Sequence, residues 1–237
     1  MKLFIVLSVC VQLFLSANCA LAPFITPCRE KDSTCLKTSA QKVVPVLAAG
    51  VPELELNPLD PMVVKIVKAS QAGLDMEFRN TTVKGLRNCE VLNLKRNDKK
   101  LGLDLKCSVT LIGNYTLGGK LLVMPIEGNG KYRIRIRDII VKIQFEVRDV
   151  DRNGETHWAL TTWRHSADVK TNVNFSFQNL FNGNKQLSDA IHEFANSSWR
   201  DIFQEVAPPI VKAIVNAVVE EVKKLFVKVP IKEMVLD

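Results

Sequence analysis

The chain changes hydrophobic period twice, and the second change leaves few ways to fold. Between Gly73 and Phe177 apolar residues recur at every second position. Leu74, Met76 and Phe78 alternate with Asp75, Glu77 and Arg79, and Leu105, Cys107, Val109 and Leu111 alternate with Lys106, Ser108 and Thr110. Ile139, Val141, Ile143, Phe145 and Val147 alternate with Asp138, Lys142, Gln144, Glu146 and Arg148, with Ile140 as the exception. Val173, Phe175 and Phe177 alternate with Asn172, Asn174 and Ser176. Successive strand residues face opposite sides, so each segment reads as a strand with one apolar and one wet face. Turn signals at Asn97-Asp98, Gly118-Gly119, Gly128-Asn129-Gly130 and Asn153-Gly154 lie between them, which predicts an antiparallel meander of long strands. From Leu187 to Phe226 the spacing becomes three-and-four, through Ile191, Phe194, Trp199, Ile202, Phe203, Val206, Ile210, Ile214, Val218 and Val222. That is about 40 residues of helix, about 60 Å if unbroken. Pro208-Pro209 is expected to kink or break it near the middle. The apolar set is wide and aromatic-rich, which favours burial against the sheet over a solvated surface helix or a coiled-coil seam.

A long apolar helix and a long half-apolar meander satisfy each other most economically when the sheet curls around the helix. The expected fold is therefore α+β: a long C-terminal helix wrapped by a curved antiparallel sheet. Apolar side chains that cannot all meet would leave an internal tunnel. Ile143, Phe145 and Val147 are the candidate lining residues from the sheet, with Trp158 on the strand after the Asn153-Gly154 turn. Phe194, Phe203, Ile210 and Ile214 are the candidates from the helix. Ahead of the meander, Asp32 to Ala49 reads as a helix capped by Asp32 or Ser33 and ended by Gly50 and Pro52, with Leu36, Val43, Val44 and Leu47 at helical spacing. Pro45 predicts a kink or an early stop. The following ELELNPLDPMVVKIV is expected to be a short second helix or a turn.

The N-terminus, MKLFIVLSVCVQLFLSANCA, sets Lys2 before an apolar run from Leu3 to Leu15 and then small residues, the layout of a secretory signal peptide. The run is shorter than the roughly 20 residues of a membrane span. Residues 1–20 are set apart as the signal, with cleavage between about 19 and 22. Ala17/Cys19 would start the mature chain at Ala20, and Ala20/Ala22 would start it at Pro23. Residues 21–237 are expected to form one domain, secreted to the extracellular space as a soluble monomer. Sequons at Asn80, Asn114, Asn174 and Asn196 are candidate glycosylation sites, and Asn114 and Asn174 fall on the polar parity of their strands. Cys10 and Cys19 leave with the signal, so Cys28, Cys35, Cys89 and Cys107 remain. An even number in an oxidising compartment suggests two disulfides. Cys28–Cys35 would close a short loop. Cys89 and Cys107 are symmetric about residue 98, so a hairpin turning there sets them opposite each other; a one-residue bulge would bring the leucines of the two strands onto one face.

Signals for chemistry are missing. The three histidines include a His192-Glu193 pair that begins like H-E-x-x-H, but Asn196 stands where the second histidine belongs. No G-x-S-x-G elbow, P-loop or G-x-G-x-x-G occurs. The cysteine spacing does not suggest zinc, so no catalytic residue, metal or cofactor is expected. The net charge is +7, one less without Lys2. Lys131, Arg133, Arg135 and Arg137 form a basic row whose alternatives are a solvated strand face and a docking surface for anionic lipid headgroups. Nucleic acid is not expected as a partner of a secreted chain without a stacking motif.

PCREKDSTCLKTS, with its C-x6-C pair opening a helix, is followed by GVPELELNPLDPMVV and LDMEFRNTTVKGLRN. The chain ends NSSWRDIFQEVAPPIVKAIVNAVVEEVKKLFVKVPIKEM. Together these segments resemble the insect Takeout and haemolymph juvenile-hormone-binding protein family over essentially the whole mature chain. The resemblance implies a curved sheet around a C-terminal helix and a hydrophobic ligand in an internal tunnel: a terpenoid, a fatty-acid-like lipid or a juvenile-hormone-like molecule. Transient membrane or receptor contact is a further expectation, and membrane- and lipopolysaccharide-binding relatives of this roll-type architecture supply the alternative of a peripheral lipid binder. The hormone-binding branch has a second disulfide in its C-terminal half, whereas no Cys follows Cys107 here. That branch also carries a strand Tyr where IIVKIQFEVRDV has Gln144 and Phe145. The resemblance is therefore closer to the Takeout branch.

Overall fold

The structure is a computed structural model, described here for residues 20–236; the run Leu3–Leu15, expected to be part of a signal peptide, lies outside the described residues. A two-residue strand β1 (Cys28–Arg29) leads into α1 (Ser33–Ala49), and four antiparallel strands carry most of the chain to Phe177 after β2 (Met62–Gln71) and β3 (Leu74–Lys84) have opened the sheet. These are β4 (Glu90–Asn97), β5 (Lys100–Leu121), β6 (Met124–Arg152) and β7 (Glu155–Phe177). Three helices follow, α2 (Lys185–Ser197), α3 (Trp199–Val206) and α4 (Pro208–Lys228), and β8 (Val235–Leu236) ends the described chain. The sheet order is β2-β3-β5-β6-β7, with β4 paired to one end of β5. Because α4 packs against both edge strands, β2 and β7, it closes the curled sheet into a half-barrel. β8 pairs in parallel with β1, Cys28 opposite Val235, so the two ends of the described chain meet.

The three longest strands, β5, β6 and β7, are 22, 29 and 23 residues long, longer than the alternating segments that announced them. Bulges hide their continuity. β6 turns Tyr132, Ile134 and Ile136 inward, shifts at Asp138, and then turns Ile139, Val141 and Ile143 inward. That shift leaves Ile140 on the outer parity, which accounts for the exception in the alternation. Shifts at neighbouring levels of β3 and β5 bend the sheet around the helices.

Four expectations need correction. Gly118-Gly119 and Gly128-Asn129-Gly130 are not turns but lie inside β5 and β6; the turn between these strands is Leu122-Val123. The glycines serve close approach instead: a Cβ on Gly119 would sit 2.2 Å from the Gly73 carbonyl oxygen, and one on Gly128 2.8 Å from the Tyr115 hydroxyl. Met62–Gln71 is a strand rather than part of a helix or turn, and only Pro52–Leu54 forms a helical turn. Its inward residues, Met62 and Val64 and then Val67 and Ala69, change parity where the pairing skips Lys65, so no single period survives in the sequence. α1 runs through Pro45 to Ala49 without a stop. The C-terminal helical stretch breaks at Ser198 as well as at the expected Pro208, where α3 and α4 meet at 63°.

Both disulfides form, Cys28–Cys35 and Cys89–Cys107, with Cα separations of 5.7 and 4.4 Å. In the β4–β5 hairpin Leu94 faces Leu103, and a bulge at Leu92 shifts the register by one before Val91 meets Leu105. Without that bulge Cys89 would face Ser108.

The edge strand β7 is sealed by side chains of α2. Asn196 Oδ1 accepts from the Phe175 N–H (2.7 Å) while its Nδ2 donates to the Phe175 carbonyl (3.2 Å). One helical turn earlier, His192 Nε2 accepts from the Phe177 N–H at 2.9 Å. Its Nδ1–H is turned to the Ser188 carbonyl, 2.8 Å away.

Candidate ligand cavity

α1, α4, the β4–β5 hairpin and the adjoining parts of β6 and β7 do not fill the space they enclose. A cavity of about 290 Å³ remains, near the lower edge of the range for small-molecule sites. α1 contributes Leu36, Ala40, Val43, Val44 and Leu47 at three-and-four spacing. α4 contributes Val211, Ile214, Val215, Val218, Val222 and Phe226 in the same way. Val91, Leu94, Leu101, Leu103 and Leu105 line it from the hairpin, and Ile136, Ile139, Val141, Ile143 and Phe145 from β6. Trp158 closes one end edge-on to Phe226, ring centroids 5.4 Å apart.

Polar contacts hold the wall in place from outside it. The Asp32 carboxylate caps α1 through the Cys35 N–H at 2.9 Å. Gln41 spans to β4, donating to the Cys89 carbonyl (3.1 Å) and accepting from the Val91 N–H (2.7 Å). On α4 the Glu221 carboxylate is buried and accepts from the backbone and side chain of Asn57, at 2.9 and 3.1 Å, and from Lys224. Burial pushes its pKa up, but these bonds outweigh that and hold it below the usual carboxylate value.

Thr26 and Ser39 bring hydroxyls to the wall and Trp158 an indole N–H, and no residue there titrates. The Ser39 hydroxyl is already occupied, donating to the Thr26 carbonyl (2.8 Å) and accepting from the Thr26 N–H (2.9 Å). The exposed Thr26, with Ile25 and Met234, belongs to the segments that meet at the β1–β8 pair. A buried carboxylate or ammonium would find no partner on such a wall. Among the described residues no cluster of His, Cys, Asp and Glu is arranged to hold a metal.

Of the eight residues expected to line the tunnel, Ile143, Phe145, Trp158 and Ile214 are on this wall. Val147, Phe194, Phe203 and Ile210 are in the core but off it. Val147 lies beyond Phe145, where β6 shifts register against β7. The break at Ser198 and the bend before α4 carry Phe194 and Phe203 away from the axis of α4, while Ile210 sits in its first turn. The contribution of α1 and the β4–β5 hairpin escaped the sequence reading. Leu36, Val43, Val44 and Leu47 were visible as a helical stripe, but nothing local distinguishes a stripe facing a void from one facing side chains.

A curled antiparallel sheet closed by helices over an apolar, uncharged cavity defines a carrier of hydrophobic ligands of the α+β roll type. The haemolymph juvenile hormone binding protein family matches residues 4–236, and the chain belongs to that family. Takeout 1 of Epiphyas postvittana has the same fold, with a TM-score of 0.87 at 28% identity over 90% of this chain and 100% of that one. The circadian clock-controlled protein daywake of Drosophila melanogaster is 27% identical over 87% of this chain and 85% of its own length. The juvenile hormone-binding protein of Manduca sexta is 26% identical over 88 residues, 36% of this chain and 38% of that protein.

Proposed function

We propose that this protein is a secreted carrier that holds one small, neutral, hydrophobic molecule in the cavity between α1, α4 and the sheet. The observation that carries the reading is the wall itself, apolar on every side, with its one buried hydroxyl already bonded at Ser39. Such a wall favours terpenoid esters of the juvenile-hormone type, long-chain alcohols and other lipids whose buried length carries no charge. A fatty acid would have to keep its carboxylate at the mouth by Thr26. Ile143, Phe145, Trp158 and Ile214 are the ligand contacts on the sheet and α4.

The two disulfides and the N-terminal leader support export. Burial of Ala22, whose N–H donates to Glu233 at 3.0 Å, supports cleavage before Ala20 rather than before Pro23. Asn80 and Asn174 are exposed, and the amide nitrogen of Asn174 donates to Asn196 Oδ1 at 3.2 Å. A glycan on Asn196 would have to replace the bond from its amide nitrogen to Phe175.

The test is displacement of a fluorescent terpenoid or fatty-acyl probe from folded wild type, Phe145→Glu and the surface variant Lys65→Glu. A glutamate on the wall either stays neutral or excludes the ligand. Phe145→Glu is expected to weaken binding more than tenfold, the equivalent of about 1.4 kcal/mol, while Lys65→Glu matches wild type. Equal binding by all three, with folding confirmed by circular dichroism, would show that the cavity is ordinary core. Mass spectrometry of ligand extracted from natively purified protein then names the cargo.

A further inference from the structure

The outer face of β6 carries a feature that the cavity does not use. Lys131, Arg133, Arg135 and Arg137 project from it in single file, all exposed. Alternate strand residues are about 6.8 Å apart, so the row is about 20 Å long. Among the described residues none of the four is in an ion pair, although thirteen pairs occur elsewhere. The flanks are uncharged. Arg133 lies between Ile112 and Ser176, Arg135 between Thr110 and Asn174, and Arg137 beside Asn172. In line with Arg135 and Thr110, β3 adds Lys84. Asp138, at the bulge, ends the row.

We infer that this row is a binding site for a linear sulfated polysaccharide. A file of cations bordered by Asn172, Asn174 and Ser176 on one side, and by Thr110 and Asn114 with Ile112 between them on the other, suits a polyanion whose sulfates recur along a line and whose sugar hydroxyls need hydrogen-bond partners. A bilayer fits less well, because charge alone gives a weak hold without an apolar wedge. Among the described residues none of the exposed large apolar side chains flanks the row. The arginines offer paired donors that match the oxygens of a sulfate group, as they do for carboxylate and phosphate.

The experiment is titration of a size-defined heparin oligosaccharide into wild type, Arg133→Glu/Arg135→Glu, the milder Arg133→Gln/Arg135→Gln, and the charge-matched Lys42→Glu/Lys65→Glu. Each is measured with N-glycans present and after their enzymatic removal, because the Asn114 and Asn174 sequons flank the row. Probe binding in the cavity reports folding, since none of the substituted residues lines it. Wild type and the Lys42/Lys65 variant should bind alike, with affinity falling as salt rises. The Glu pair should lose at least tenfold and the Gln pair several-fold. Equal loss in the row and charge-matched variants would mean diffuse attraction to net charge and would overturn the site. So would absence of heparin binding in both glycan states, or binding to phosphatidylserine vesicles in its place.

Discussion

The end of the roll closed by α1 and α4 is lined mostly by valine, leucine and isoleucine, with Phe145, Trp158 and Phe226 among them, and stays hollow. The end closed by α2 and α3 is built around aromatic rings and is nearly solid. Phe78 meets Tyr132 edge-on at 5.0 Å and Tyr115 meets Phe177 at 4.8 Å, with Tyr132 stacked on Phe177. Both hydroxyls are tied, Tyr115 to the Gln178 carbonyl at 2.7 Å and Tyr132 to the Thr81 hydroxyl at 2.6 Å. The void between β3, α2 and α3 is about 50 Å³, against about 290 Å³ for the cavity at the other end. The same sheet spans both ends, so curvature alone does not make the cavity. Where aromatic side chains predominate they fill the gap between sheet and helix; where short branched ones predominate, as over most of the cavity wall, they leave it open.

The sharpest way to break this contrast is to delete side chains on each side of it. Tyr115→Ala should cost about 3–5 kcal/mol, because it empties a filled site and removes the partner of the Gln178 carbonyl. Leu103→Ala, facing a space already open, should cost less than about 2 kcal/mol, the bottom of the usual range. Urea denaturation of ligand-free protein measures both, and equal costs would mean that the hollow end is packed in solution.

Filling is the converse. Val173→Phe, in the solid end, should overpack and destabilise by about 1–3 kcal/mol. Val141→Phe should leave stability within about 1 kcal/mol while weakening probe binding at least tenfold by taking the ligand's space.

Alkali separates the ends chemically, since the two tyrosines of the chain both sit in the solid one. Burial pushes both hydroxyls up to about 12, above the ~10 of an exposed tyrosine; the bond to Thr81 opposes this slightly for Tyr132. The folded state holds these protons more tightly. Their stabilisation is therefore complete below pH ~10 and is lost as pH rises through about 12. Denaturation midpoints measured across that window should fall, and less steeply in Tyr132→Phe. At neutral pH that substitution should cost only about 1 kcal/mol, for one hydroxyl left without its partner at Thr81.

The architecture was legible because its periods are long. Strand alternation and the helical stripe after Leu187 were enough to set a curled sheet against C-terminal helices, and the symmetry of Cys89 and Cys107 about residue 98 located a hairpin. Parity shifts were not legible. A bulge such as the one at Asp138 joins two alternations that look unrelated, and the skip at Lys65 removes the signal of β2 altogether. The cavity was half legible for a different reason. Sequence marks which side chains leave water, as it did for Phe203 and Phe145 alike, but whether a neighbour arrives on the far side depends on the directions of helices. The turn of α3 away from α4 carried Phe203 into solid core, while Phe145, on β6, faces the cavity.

The seal of α2 along β7 bears on how the protein would fail. An edge strand with free N–H and C=O groups is a template for another chain, and proteins protect such edges with charges, bulges or a covering element. Here Asn196 occupies both backbone groups of Phe175, and His192 occupies the N–H of Phe177, in the manner of a next strand. Lifting α2 would uncover a ladder beginning at Val173, Phe175 and Phe177, apolar on its inner face and ready to recruit an identical copy. Aggregation by strand addition at this edge would start at the solid end, away from the cavity. A filled cavity would delay aggregation only so far as it holds the whole roll together, whereas a stronger cap on α2 would act on it directly.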